Sequence, residues 1–144
     1  MVGRAIVDTG YLVALLNATD NHHAWATALL PRLRGPWITA EACVSEAVFL
    51  LEHTGRIAAE RLFEWLAKGA VVSQHFLPEE LEAVRSESFR YRGRSVDFAD
   101  ACIVCASDRK PKLPVVSVDV ADFSVYFRRR PGRSLFLPSH ADRR

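Results

Sequence analysis

Five short apolar runs, at residues 4–7, 37–39, 70–72, 115–118 and 134–137, alternate with longer segments whose apolar residues recur at helical spacing. Runs this short, bounded by Gly, Pro and polar residues, read as strands buried on both faces. Strands separated by helical segments pair in parallel, because a parallel crossover needs a dozen or more residues. The expected fold class is therefore α/β. It would have three layers, α/β/α, around a central, mainly parallel sheet of four to five strands.

The helical segments have readable limits. Residues 9–17 carry Leu12, Leu15 and Leu16 at helical spacing. Asp20 is placed to cap a second helix with Ala24, Trp25, Ala28 and Leu29 on its apolar side, ended by Pro31 and the Gly35-Pro36 pair. Helices are expected over 40–53, 56–68, 78–89 and 97–108, with Gly55 and Gly69 between elements and Pro78 in a first turn. Residues 120–127 read as a short helical turn or loop. With no internal repeat and no linker, the 144 residues are expected to form a single domain with a basic tail at about 138–144.

Composition removes several classes. No run of about 18 apolar residues exists, so no membrane span is expected. The first residues lack a signal-peptide pattern. Three cysteines make an odd number, and Cys102 and Cys105 share an apolar stretch, which fits a reduced, cytoplasmic interior better than a disulfide framework. The five histidines are scattered without zinc-ligand spacing, and no Gly-rich nucleotide loop is present. Net charge is only +2, but arginines gather at Arg85, Arg90, Arg92 and Arg94, and again at Arg128, Arg129, Arg130 and Arg133. Such forks suit phosphates, or they form an ordinary solvated surface.

Four acids stand out. Asp8 and Asp119 each follow a strand directly, where parallel sheets bind their ligands. Glu46 has Ala42, Cys43, Phe49 and Leu50 three and four positions away, so it is expected to be partly buried. Asp100 precedes Ile103 and Val104 at helical spacing and follows a candidate cap, Asp97. Each has a plain reading as a cap or a paired charge. Together they raise a sharper one. Two carboxylates about 5 Å apart repel by about 3 kcal/mol at an effective dielectric near 20. Four that converge therefore need protons or cations, and oxygen-only ligands favour hard ions such as Mg²⁺ or Mn²⁺.

In order along the chain, "IVDTGYLVALLN", "DNHHAWA", "WITAEACVSEAVFLLEHTGR", "YRGRSVDFADACIVCAS" and "LPVVSVDVADFSVY" resemble the PIN-domain ribonucleases, and within them the VapC-like toxins of type II toxin–antitoxin pairs. The resemblance implies that Asp8, Glu46, Asp100 and Asp119 hold one or two Mg²⁺ or Mn²⁺ ions and catalyse RNA phosphodiester hydrolysis. It implies that the Thr9 and Ser117 hydroxyls orient carboxylates, water or phosphate. Arginines of the two clusters, among them Arg90, Arg92, Arg94 and Arg128, would hold the RNA backbone. A cognate antitoxin and a homodimer are implied as partners, with Leu12, Leu16, Trp25 and Leu29 in part of the antitoxin groove. Asp97 and Asp122 are extra acids beside Asp100 and Asp119, either of which could substitute in the site. Two rivals remain at this point. One is a PIN-like module that binds RNA or protein without cleaving. The other is a phosphohydrolase or phospho-receiver using Asp8 as the phosphoryl acceptor, although a haloacid-dehalogenase-like phosphatase would want a second Asp where Gly10 stands.

Overall fold

The computed structural model describes residues 4–139 and Asp142, so most of the expected basic tail lies outside the described residues. Five strands, β1 (Ile6–Val7), β2 (Trp37–Ala40), β3 (Val71–Gln74), β4 (Val115–Val116) and β5 (Leu135–Phe136), form one sheet in the order β3-β2-β1-β4-β5. Every pairing is parallel, with Ile6 opposite Ile38 on one side and opposite Val115 on the other. The chain winds outward from β1 in both directions. The topological switch point therefore lies between β1 and β4, and a crevice opens there at the carboxyl ends of the strands.

Among the described residues, seven α-helices cover the sheet: α1 (Thr9–Leu16), α2 (His23–Leu29), α3 (Glu41–Glu52), α4 (Arg56–Ala67), α5 (Leu81–Ser88), α6 (Phe98–Arg109) and α7 (Val120–Phe127). Strand residues alternate between two cores, which makes the three layers. Ile6, Ile38 and Val115 pack with α6 and α7 through Ala101, Ile103, Val104 and Phe123. Val7, Trp37, Val71 and Val116 pack on the other face with α1, α3 and α4 through Leu12, Ala47, Leu51 and Leu62. Buried Tyr11 anchors α1 to α2. Its hydroxyl donates to the Ala26 carbonyl at 3.1 Å, and its ring meets Trp25 and Trp37 edge to face.

Three local expectations shift. The segment 78–89 begins as a separate 3₁₀ turn, Pro78–Glu80, before α5. Asp20 does not cap α2. Its Oδ1 accepts the His22 N–H at 2.8 Å, closing a turn just ahead of the helix, and His22 takes the cap position. The buried side of α2 is Ala26 and Leu29, while Ala24 and Ala28 are exposed. Gly55 separates α3 from α4 at φ +151°, a backbone region closed to side-chain-bearing residues.

Candidate active site

The switch-point crevice is built from strand ends and helix starts. Asp8 leaves β1 and caps α1, its Oδ1 accepting the Tyr11 N–H at 3.0 Å. Its Oδ2 accepts the Ser117 hydroxyl at 2.5 Å, and Ser117 Oγ accepts the Asp119 N–H at 3.0 Å. One hydroxyl thus ties the end of β1 to the end of β4. Asp119 caps α7 through the Asp122 N–H at 2.9 Å, and Asp97 caps α6 through the Asp100 N–H at 2.8 Å. The plain capping readings of Asp8, Asp97 and Asp119 are therefore true, and they do not compete with a shared site. The same turns aim Asp8, Asp100 and Asp119 at one place, beside the positive ends of three helices.

Electrostatics record the convergence. Burial is the main reason Asp8 is raised from 3.8 to about 6; its bonds from Ser117 and Tyr11 pull it down, and the charges of Asp119 and Glu46 push it up. Asp100 is raised to about 8, chiefly by burial and then by Asp97, Asp8, Asp119 and Asp122. Asp119 is raised as well, again by burial first. Carboxylate oxygens of Asp100, Asp119 and Asp122 lie within 4.8 Å of one another. The Tyr126 hydroxyl donates to Asp100 Oδ2 at 3.4 Å and fixes that carboxylate from the core side. A cluster of carboxylates alone is the donor chemistry of a hard divalent cation, so these residues fit such an ion.

Several expected residues land differently. Glu46 is exposed, not partly buried. Of the four neighbours that implied burial, Cys43 is buried but Phe49 and Leu50 are 61% and 40% exposed, so the apolar spacing around Glu46 does not bury it. It still reaches the rim of the crevice, where its Oε2 accepts the Thr9 hydroxyl at 3.4 Å. Asp122 joins the acidic group beside Asp100 and Asp119. Of the arginines, Arg92 and Arg128 are exposed. Arg94 is ion-paired with Asp122. Arg90 pairs with Glu87 at 2.9 Å. Arg130 and Arg133 of the second cluster are structural: Arg130 bridges Glu87 and Asp108, and Arg133 binds Asp108 and the Ser107 carbonyl. Leu12 and Leu29 are buried core residues and are not open to a groove. Cys43, Cys102 and Cys105 are buried free thiols pushed up by desolvation, which leaves them as packing groups.

Gly10 lies in a tight space. A Cβ there would lie 2.3 Å from Val118 Cγ2, so a side chain at this position requires Val118 to move. Gly10 also stands where a phosphatase of the haloacid-dehalogenase kind would need its second aspartate.

A family model described as "PIN domain" matches residues 5–125. The chain belongs to the PIN domain family. Among solved structures, VapC20 of Mycobacterium tuberculosis, described as a toxin that cleaves the sarcin–ricin loop, has a TM-score of 0.74 and 26% identity. The match covers 84% of this chain and 93% of VapC20. No curated protein matches this PIN domain. No helix among the described residues is long and apolar enough to cross a membrane.

Proposed function

We propose that this chain is a divalent-metal-dependent endoribonuclease and the toxin of a VapC-type toxin–antitoxin pair. The observation that carries the reading is the meeting of Asp8, Asp100 and Asp119, from three separate helix starts, at the switch point of a PIN fold similar to VapC20. Four acids are assigned to catalysis and metal holding: Asp8, Asp100 and Asp119 in the crevice and Glu46 at its rim. The ion is Mg²⁺ or Mn²⁺, and when bound it would activate water and stabilise charge on the scissile phosphate.

The other roles follow from contacts. Ser117 orients Asp8 by donating to it. Thr9 orients Glu46 in the same way. Asp97 sets the first turn of α6, and thereby Asp100, through its cap. Exposed Arg92 and Arg128 are free to meet RNA phosphates, while Arg90 and Arg94 start from ion pairs. Exposed apolar residues, including Phe49, Phe63, Phe89 and Phe98, support protein partners, here an antitoxin and a second copy of the chain, in the cytoplasm.

The test is cleavage of a labelled single-stranded RNA with Mg²⁺. Cleavage that EDTA and Asp8→Asn both abolish is expected. Tight RNA binding without cleavage would instead favour a non-cleaving PIN module.

A further inference from the structure

The acidic crevice carries its own cation. The Arg94 guanidinium is ion-paired with Asp122 and lies 5.9 Å from the centroid of the Tyr126 ring, whose hydroxyl reaches Asp100. Asp122 shares its space with Asp100 and Asp119, whose carboxylate oxygens are all within 4.8 Å of one another and of its own. Arg94 therefore does what a bound ion would do: it offsets charge in a group of carboxylates that repel one another. It is also placed to leave. It lies in the loop between α5 and α6, next to Gly93 at φ +82°, and the paired side chains of Arg94 and Asp122 are 39% and 36% exposed. A guanidinium this open to water loses little when the pair breaks.

We propose that Arg94 is a built-in counter-ion of the acidic crevice and that a divalent cation held by Asp100 and Asp119 displaces it, so that guanidinium and metal compete for the negative charge that Asp122 shares with those two carboxylates. The inference rests on reading the crevice as a metal site. Arginine is a weakly hydrated monovalent fork, whereas Mg²⁺ takes carboxylate oxygens at about 2.0–2.1 Å. A divalent ion this close repels the guanidinium and offsets the same carboxylate charge. For an ion pair exposed to this degree, the competition lowers metal affinity by about two- to fivefold. Linkage is reciprocal, so metal binding weakens the hold on Arg94 by the same factor.

The test uses Mn²⁺ alone, titrated by calorimetry into the full chain, with Arg94→Gln and Arg92→Gln as variants. Arg92→Gln removes the same charge from the same exposed loop and reports the general field effect. Arg94→Gln is expected to bind Mn²⁺ about two- to fivefold tighter than wild type, with a clearly smaller change for Arg92→Gln. In parallel, wild-type protein is treated with an arginine-directed dicarbonyl reagent with and without Mn²⁺, and modification is read by peptide mass spectrometry. Mn²⁺ should speed modification of Arg94 and leave Arg92 unchanged. This arm needs no variant, so it decides the matter even if Arg94→Gln fails to fold. Equal Mn²⁺ affinity in wild type and Arg94→Gln, or Arg94 reactivity that Mn²⁺ does not raise, overturns the competition and leaves the metal site standing. Wild type that binds no Mn²⁺ overturns the metal-site reading, and the competition with it.

Discussion

Replacing Asp8 with asparagine should stabilise the metal-free protein while destroying its proposed activity. Asp8 is buried and its carboxyl is raised from 3.8 to about 6. A rise of that size corresponds to a penalty of about 3 kcal/mol on the ionised form near neutral pH. Asparagine removes the charge and keeps an oxygen to accept the Tyr11 N–H, so the start of α1 stays capped. It loses the acceptor for the Ser117 hydroxyl, at a cost of about 1 kcal/mol. The net gain is about 2 kcal/mol, or about 5–8 °C in melting temperature for a chain of this length.

The assay is thermal unfolding followed by circular dichroism in EDTA, at pH 7.5 and at pH 4.5. At pH 7.5 the variant should melt higher. At pH 4.5 Asp8 already carries its proton, so the gain should vanish. Saturating Mn²⁺ should narrow or reverse the order, since an ion at a hundred times its dissociation constant adds about 2.7 kcal/mol to the protein that binds it. A variant that melts lower than wild type in EDTA at both pH values would refute the reasoning. Asp8 would then be a structural cap whose hydrogen bonds outweigh its burial.

Because Asp8 and Asp100 are raised to about 6 and about 8, the native state binds more protons than the unfolded chain above about pH 4; metal-free stability should fall as pH rises toward 8, and urea midpoints that climb instead would contradict this. Gly10→Ala should cost about 1–3 kcal/mol in urea unfolding, since its Cβ meets Val118 at 2.3 Å, and an unchanged midpoint would mean α1 has room to shift. Arg130→Met should cost about 3–5 kcal/mol by leaving buried Glu87 short of a partner, and Arg130→Met with Glu87→Leu should recover much of it; equal losses in single and double variants would remove Glu87 from the explanation.

The strands and the order of the acids were legible because both are local. An apolar run of three residues after Arg4 or Pro114 has few alternatives to a buried strand, and an acid directly after it must face the crevice. What depended on long-range packing was not legible. Glu46 read as buried because helical spacing names its neighbours on α3 but says nothing about whether another element covers them. The arginine clusters read as one kind of surface, yet Arg130 and Arg133 are tied down by Asp108 and Glu87 from 22 to 43 residues away. Asp122 was visible as a neighbour of Asp119. Its place beside Asp100 depends on how α7 docks against α6.

One consequence of this architecture joins stability to function. Each acid in the crevice has a local reason to be there, since Asp8, Asp97 and Asp119 cap helices and Asp100 sits in a first turn. Caps favour the carboxylate, and helix N-termini favour negative charge. Burial and mutual repulsion disfavour it, and for Asp8, Asp100 and Asp119 the second pair of effects wins, because all three are raised. The fold therefore holds its acids where it needs them for local structure, in an electrostatic state that a divalent cation relieves. Metal affinity and metal-free stability are then opposite readings of one repulsion. A substitution that relaxes the crevice should weaken ion binding as it raises the melting temperature, whichever of Asp8, Asp100 and Asp119 is changed.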